Sequence, residues 1–214
     1  MGRIDYSLYL VTDRALARGR PLADVVRAAV AGGVTCVQLR EKEASAREFA
    51  AAARELVALL RPLGVPLIVN DRIDVALAAG ADGVHVGQQD LSVADARRLG
   101  PPGWIVGVSA ESVADAARAE RDGADYVGAS PVFATPTKAD HAPPLGLAGL
   151  RALRAATKLP LVAIGGLHAG NARETIRAGA DGLAVVSAIV AADDPRAAAA
   201  ELRWEIAAAK GAEI

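Results

Sequence analysis

Short apolar runs alternate with longer segments of helical periodicity along the whole chain of 214 residues. The apolar runs are rich in Val, Ile and Leu, which is typical of strands in a parallel sheet that is covered on both faces. The pattern predicts eight strands, at residues 6–13, 34–40, 66–71, 82–87, 104–109, 125–130, 160–166 and 182–187. It also predicts eight helices, at residues 21–31, 45–62, 73–79, 92–99, 111–121, 146–157, 170–178 and 195–209.

Residues that favour helix ends support this division. Residues suited to a helix N-terminus stand near the start of five predicted helices: Pro21, Ser45, Ser92, Asn171 and Pro195. A weak internal repeat marks the other end, with AGADG at 79–83, DGADY at 122–126 and AGADG at 178–182. Its glycines, Gly80, Gly123 and Gly179, suit the left-handed conformation that closes a helix.

Eight strand–helix units without a linker predict a (β/α)₈ TIM barrel, with residues 1–214 forming a single catalytic domain. A doubly wound open sheet is the alternative. It fits less well, because no G-x-G-x-x-G sequence follows the first strand. In a TIM barrel the chemistry is expected at the C-terminal ends of the strands, so the residues that follow each predicted strand are the candidates.

Composition limits the classes of partner and the compartment. A net charge of −1 gives no indication of nucleic-acid binding. No apolar run reaches the ~20 residues of a membrane span, and the N-terminus has no apolar segment of a signal peptide. The single Cys36 lies in an apolar run and is expected to be a buried, reduced thiol. We therefore expect a soluble cytoplasmic protein with no nucleic-acid or membrane partner, and a homodimer is left open.

Scarce polar residues are concentrated after the predicted strands. The chain has four Lys, two Asn and three Gln; two of the Lys, one Asn and all the Gln lie at or just after the C-terminal ends of predicted strands. The second strand ends with Gln38, Arg40 and Lys42, which are two positions apart. Side chains at that spacing share one face of an extended chain, so we expect all three to point toward the barrel mouth.

Two acids follow adjacent predicted strands. Asp71 ends the third strand and Asp90 follows the fourth, and neighbouring strands are ~5 Å apart. Two carboxylates at that separation repel each other unless a cation lies between them. Mg²⁺ binds one or two carboxylates together with water and phosphate oxygens. The alternative is that both acids cap the helices that follow, and the spacing leaves the two interpretations open.

Three cations are expected around the same mouth: Arg40, Lys42 and Lys138. A metal ion with several cations suits a polyanionic leaving group such as pyrophosphate. Lys138 lies in the longest loop, residues 130–146, where neighbouring hydroxyl groups could also bind phosphate.

A second phosphate site is expected across the barrel, after strands seven and eight. Gly165 and Gly166 allow close approach of the backbone, and Ser187 adds a hydroxyl group. Glycines also end many strands for steric reasons alone, so this signal is weak by itself. Two anionic substrates held face to face suggest a transferase.

The histidines offer little catalytic chemistry. His85 lies inside the fourth strand, and a structural, hydrogen-bonded role is favoured over a catalytic one. His141 and His168 lie in loops, and neither has a second His or a Cys at metal-ligand spacing. The sequence shows no Ser-His-Asp signature and no Lys inside a strand, where a Schiff-base lysine would be expected.

Taken in order along the chain, the strand ends resemble the thiamine-phosphate synthase family, also called thiamine-phosphate pyrophosphorylase. The resemblance is carried by YLVTD, VQLREK, LIVND, GVHVGQQD, VGVSA, PVFATPTK, AIGGL and VVSAI. It implies an enzyme of thiamine biosynthesis. Such an enzyme joins 4-amino-2-methyl-5-hydroxymethylpyrimidine diphosphate to 4-methyl-5-(2-phosphoethyl)thiazole, giving thiamine phosphate and pyrophosphate. Mg²⁺ would assist the departure of pyrophosphate, and the thiazole nitrogen would capture the pyrimidine carbocation.

The resemblance also implies roles for individual residues. Asp71 and Asp90 would bind Mg²⁺. Contacts with the pyrimidine diphosphate would come from Gln38, Arg40, Lys42, Asn70, Ser109 and Lys138, of which Arg40, Lys42, Ser109 and Lys138 would be catalytic. The thiazole phosphate would be held by Thr135, Thr137, Gly166, Val186 and Ser187. No general base is required, because the thiazole nitrogen already carries a lone pair.

Two positions depart from the family pattern. Gln89 stands where an acid is usual beside the metal-binding Asp, and Ser130 stands where a Gly is common. Three alternatives are a thiazole tautomerase, a sugar-phosphate barrel enzyme such as an epimerase or decarboxylase, and a catalytically silent relative. The first needs no pyrophosphate pocket, the second would leave Arg40 and Lys42 without a role, and the third would be expected to have lost a charged rim group.

Overall fold

The computed structural model describes residues 4–135 and 143–211. Within them, eight parallel strands close into a barrel in sequence order, with β1 paired to both β2 and β8. The strands are β1 Leu8–Val11, β2 Cys36–Leu39, β3 Leu67–Asn70, β4 Gly83–Val86, β5 Ile105–Ala110, β6 Tyr126–Ala129, β7 Leu161–Ile164 and β8 Gly182–Val185. The TIM-barrel prediction is confirmed.

The helices form the outer layer around the barrel. They are α1 Leu22–Ala31, α2 Ala46–Leu60, α3 Ile73–Ala79, α4 Val93–Leu99, α5 Val113–Arg121, α6 Gly146–Ala156, α7 Ala169–Arg177, α8 Ser187–Val190 and α9 Pro195–Lys210, and a 3₁₀ turn at Arg61–Leu63 follows α2. No helix among the described residues is long and apolar enough to span a membrane.

Alternation along the strands separates two apolar layers. In β2, Val37 and Leu39 face outward into the large core between strands and helices. Cys36 faces inward and packs in a smaller cluster that fills the barrel. This cluster contains three tyrosines, Tyr6, Tyr9 and Tyr126, so its apolar surface also carries hydroxyl groups. The Cys36 thiol is free and fully buried, as expected, and burial raises its pKa.

Most predicted helix starts are found in the structure. Ser45 and Ser92 accept hydrogen bonds from backbone N–H groups three residues later. Pro195 is the first residue of α9, and Pro21 occupies the N-cap position of α1. The prediction for Asn171 is wrong. His168 is the N-cap of α7, and Asn171 lies three residues into the turn, where its Oδ1 accepts the His168 N–H at 2.9 Å.

The repeated AGAD and DGAD segments lie at the junctions that the pattern indicated. Gly80, Gly123 and Gly179 have φ values of 67°, 84° and 112°. This is the left-handed region that glycine adopts at low cost. An Asp stands two residues after each glycine and immediately before β4, β6 or β8.

The last predicted strand is shorter than expected. Its predicted range of 182–187 is wrong at the C-terminal end, because β8 ends at Val185 and the chain enters the short helix α8 at Ser187. A run of apolar residues cannot by itself distinguish a buried strand from a buried helical turn. Ile189 and Val190 are fully buried in the outer core, which explains why the apolar run continues.

Candidate active site

A cavity of about 420 Å³ opens at the C-terminal end of the barrel. It has the size of a typical small-molecule site. Eleven of the residues predicted from the sequence line it: Gln38, Arg40, Lys42, Asn70, Asp71, Asp90, Ser109, Thr135, Gly166, Val186 and Ser187. Thr137 and Lys138 lie outside the described residues. Residues from seven strand ends that are far apart in sequence are therefore gathered in one cavity.

The polar face of β2 continues past the strand. Gln38 is buried, Arg40 is half-buried and Lys42 extends into the mouth of the cavity. Arg40 Nη1 lies 3.7 Å from Asp13 Oδ2, and Lys42 Nζ lies 3.5 Å from Asp71 Oδ2. Glu41 points away from them and forms an ion pair with Arg14 at 2.6 Å. Within the described ranges, Arg40 and Lys42 thus make long contacts with acids, which leaves both able to bind an anion.

Asp71 and Asp90 meet at the edge of the cavity. Both carboxyl groups line it. Burial and then the neighbouring Asp90 charge raise the pKa of Asp71 above its usual value, while Lys42 lowers it in part. Asp71 also has a φ of 62°, an uncommon conformation for a residue with a side chain. Because burial and the charge of Asp90 both oppose ionisation of Asp71, the carboxylate pair is electrostatically unfavourable unless a cation binds to it.

Helix capping does not account for this pair. The N-cap of α3 is Arg72, and the N-cap of α4 is Ser92. Asp90 Oδ2 accepts the Gly87 N–H at 2.7 Å, so one of its oxygens shapes the preceding turn. The alternative interpretation, in which both acids cap the helices that follow, is therefore wrong.

The donors at this edge suit a hard cation. Among the described residues, no group of three or more His, Cys, Asp or Glu side chains is arranged to hold a metal ion. A pair of carboxylates beside open cavity volume is what Mg²⁺ uses when water and phosphate oxygens supply its other ligands. The residues present therefore fit Mg²⁺ better than a metal that requires an all-protein site.

Across the cavity, the ends of β7 and β8 are built from small and apolar residues. Gly165 and Gly166 have φ values of 102° and 65°. A Cβ atom at Gly165 would lie 2.6 Å from Pro131 Cβ, and one at Gly166 would lie 2.6 Å from the Ala134 carbonyl oxygen. These glycines are thus needed for packing of the 131–134 segment, and they line the cavity as well. Ser187, the first residue of α8, lies nearby on the same wall.

The inner wall of the cavity contains residues that sequence reasoning missed. Tyr9 and Tyr126 line it, and Tyr126 Oη lies 2.9 Å from His85 Nδ1. His85 Nε2 lies 3.0 Å from Ser109 Oγ. His85 is hydrogen-bonded, as expected, but it is half-buried at the cavity wall and contacts a predicted substrate-binding residue. Tyrosines in apolar strands look like core residues in sequence, so only the scarcity of aromatic residues could have marked them.

Further lining residues frame the mouth. Gln88 Oε1 accepts from Arg118, and its Nε2 donates to the Ser109 carbonyl. Both ends of the Gln88 amide are therefore committed to protein contacts. Gln89 and Ser130, the two departures from the family pattern, also line the cavity.

Comparison with known proteins agrees with the fold. Residues 8–189 match the sequence family described as thiamine monophosphate synthase. A protein of Albidiferax ferrireducens named thiamine-phosphate synthase is 63% identical over 92% of this chain and 90% of its own length. One of that name from Chloroflexus aurantiacus is 58% identical over 94% and 92%. The solved structure of thiamine phosphate pyrophosphorylase from Pyrococcus furiosus is 41% identical, with a TM-score of 0.88 over 97% of this chain and 98% of its own. This chain belongs to the thiamine monophosphate synthase family.

Proposed function

We propose that this chain is an enzyme with the activity after which its relatives are named. It joins 4-amino-2-methyl-5-hydroxymethylpyrimidine diphosphate to 4-methyl-5-(2-phosphoethyl)thiazole, giving thiamine phosphate and pyrophosphate. The observation that carries the proposal is that two sides of one cavity differ in their chemistry. Cations and paired carboxylates line its β2–β4 side, and small residues suited to a phosphate line its β7–β8 side.

The diphosphate binds on the charged side. Arg40 and Lys42 supply positive charge, and Ser109 and Asn70 add polar groups from neighbouring strands. Asp71 and Asp90 would hold Mg²⁺, which would supply positive charge to offset the charge of the departing pyrophosphate. Lys138 is assigned to the same leaving group. The Gln38 amide, buried at the base of the cavity, contacts the pyrimidine.

The thiazole phosphate binds opposite, against Gly166, Val186 and Ser187. Thr135 and Thr137 contribute hydroxyl groups from the 130–146 loop. This arrangement directs the thiazole ring toward the pyrimidine methylene carbon, and holding two reactants in reactive geometry is itself a large part of catalysis.

The reaction needs no proton transfer. The bond between the methylene carbon and the diphosphate oxygen breaks, and the electron pair leaves with pyrophosphate. The thiazole nitrogen then donates its lone pair to the methylene carbon and becomes the positively charged thiazolium nitrogen. The protein contributes by binding charge on the leaving group, placing the nitrogen and keeping water away from the cation.

The test is direct reconstitution. Purified protein with both substrates and Mg²⁺ should form thiamine phosphate and pyrophosphate in equal amounts. Omitting either substrate, or adding EDTA, should abolish both products. Release of pyrophosphate without the thiazole substrate would indicate a hydrolase, and absence of both products would overturn the proposal.

A further inference from the structure

A chain of four hydrogen bonds crosses the barrel along the inner wall of the cavity. It joins, in order, Gln38 on β2, Tyr9 on β1, Tyr126 on β6, His85 on β4 and Ser109 on β5. The successive donor–acceptor distances are 3.0, 2.8, 2.9 and 3.0 Å. The two ends are groups assigned to the pyrimidine diphosphate, and the three central residues have no assigned role in the reaction.

The barrel is shaped to hold the central residues in place. A Cβ atom at Gly107 would lie 2.1 Å from Tyr126 Cζ, and one at Gly128 would lie 3.1 Å from His85 Cε1. The Tyr6 ring packs on Tyr126, with ring centroids 4.6 Å apart. Tyr9 and Tyr126 are 1% and 0% exposed. Two strand glycines and the tilted contact with the Tyr6 ring therefore fix the positions of the phenol and imidazole rings.

In the first half of the hydrogen-bond chain, the donor and the acceptor of each bond can be assigned. Gln38 Nε2 donates to Tyr9 Oη, and the single phenolic proton of Tyr9 must find another acceptor. The Cys36 thiol beside Tyr9 is a weak acceptor, so the proton goes to Tyr126 Oη. Burial raises the pKa of both phenols, which keeps both protonated.

The second half follows from the first. Because Tyr126 Oη accepts from Tyr9, its own proton is donated to His85 Nδ1. A neutral imidazole that accepts at Nδ1 carries its proton on Nε2. In this sense His85 Nε2 donates to Ser109 Oγ, and the Ser109 hydroxyl proton is not used in that hydrogen bond.

We propose that Tyr9, Tyr126 and His85 are positioning residues that set the polarity of both ends of this chain. Gln38 then presents its carbonyl oxygen to the cavity as an acceptor for an amino group. Ser109 presents its hydroxyl proton as a donor for an anionic oxygen or a ring nitrogen. The reverse sense would direct a Ser109 lone pair at the diphosphate, which is repulsive. The identity of the ligand rests on the proposed function, whereas the polarity of the chain does not.

The tautomer of His85 is the decisive observable. The protein has three histidines, so the double variant His141→Gln/His168→Gln leaves His85 as the single histidine. Long-range ¹H–¹⁵N correlation spectra of this labelled protein near neutral pH should show a protonated Nε2 and an unprotonated Nδ1. A proton on Nδ1, or on both nitrogens, would overturn the proposal. This measurement leaves all five residues of the hydrogen-bond chain unchanged.

The matched variants are Tyr126→Phe and Tyr6→Phe, which remove one hydroxyl each from stacked rings of the same cluster. Tyr126→Phe should lose the fixed His85 tautomer and lower kcat about tenfold, or about 1.4 kcal/mol. It should leave the KM for the thiazole phosphate unchanged. Tyr6→Phe should change neither the tautomer nor kcat.

Three results would contradict the role of Tyr126. They are an unchanged tautomer in Tyr126→Phe, an unchanged kcat, or equal losses in the two variants, which would indicate packing alone. If Tyr126→Phe does not fold, the tautomer in the double variant still decides the donor sense. Absence of synthase activity in the unmodified protein would refute the proposed function, while the tautomer result would stand.

Discussion

The two ends of the barrel both carry aspartates next to strands, but the aspartates have different surroundings. At the N-terminal end, Asp82, Asp125 and Asp181 precede β4, β6 and β8. Each exchanges two hydrogen bonds with one residue of a neighbouring strand. The backbone N–H groups of Leu67, Val106 and Leu161 donate to these carboxylates at 2.8, 2.7 and 2.8 Å. The aspartate N–H groups donate back to the carbonyl oxygens of the same three residues.

Arginines complete two of these N-terminal sites. Arg97 pairs with Asp125, and Arg154 Nη1 lies 2.8 Å from Asp181 Oδ2. At the C-terminal end, the charge of Asp90 raises the pKa of Asp71. Among the residues that the structure describes, the cation paired with Asp71 is Lys42, which is 3.5 Å away and half exposed. The N-terminal carboxylates bond to backbone N–H groups of neighbouring strands and so stabilise the closed sheet, whereas Asp71 and Asp90 form a pair with excess negative charge. The number of partners, rather than the residue type, distinguishes the two ends.

Loss of one cavity carboxylate should have the largest effect. Asp90→Asn keeps an acceptor for the Gly87 N–H but removes a charge from the pair. We expect kcat/KM to fall about a hundredfold at limiting Mg²⁺, or about 2.7 kcal/mol, with little change in the free energy of unfolding. Steady-state kinetics over a Mg²⁺ titration would measure this. Full activity at limiting Mg²⁺ would remove Asp90 from the metal site.

The corresponding change at the other end should affect stability instead. Asp125→Ala leaves the Val106 N–H and the Arg97 guanidinium without this partner. We expect the free energy of unfolding to fall by about 1 to 3 kcal/mol, measured by urea denaturation, while kcat per folded molecule stays the same. A specific loss of kcat with normal stability would contradict the division between the two ends.

Lys138 tests whether the cation set of the cavity extends into the 130–146 loop. Lys138→Ala should lower turnover about tenfold, or about 1.4 kcal/mol, because positive charge on the departing pyrophosphate is lost. Lys158→Ala, at the N-terminal side of β7, is the matched control and should retain full turnover. An unchanged rate for Lys138→Ala would exclude this lysine from the mechanism.

The smallest effect concerns the repulsion between the paired acids. Asn tolerates the left-handed backbone of position 71, so Asp71→Asn removes charge without new strain. Because the folded-state pKa of Asp71 is raised, its ionisation destabilises the fold as pH rises from the unfolded pKa through the folded one. Without metal at neutral pH, the variant should therefore be more stable by about 0.5 kcal/mol. This gain should vanish at acid pH.

Thermal unfolding with and without Mg²⁺ supplies the control for that variant. Mg²⁺ should raise the melting temperature of the unmodified protein and not that of Asp71→Asn, since binding to the folded state alone shifts stability. A variant that is less stable than the original at neutral pH would show that the carboxylate pair is not repulsive.

Sequence reasoning located the eight strands, and most of the site residues that it predicted line the cavity. Alternation in β2 placed Gln38, Arg40 and Lys42 on one face, and the barrel prediction brought them to the same mouth as Asp71, Asp90 and Ser109. It failed where local patterns are ambiguous. The end of β8 became the helix α8, and Asn171 proved to be inside the first turn of α7 rather than its cap.

What the sequence by itself determined is the order of strands and helices and the identity of the side chains at each strand end. Those follow from periodicities that act over a few residues. Tertiary structure alone decided which distant groups are partners. It supplied the backbone partners of Asp82 and Asp125, and it joined Tyr9, Tyr126 and His85 in one hydrogen-bond chain. Such contacts require closure of the barrel, which brings together strands that are many residues apart in sequence.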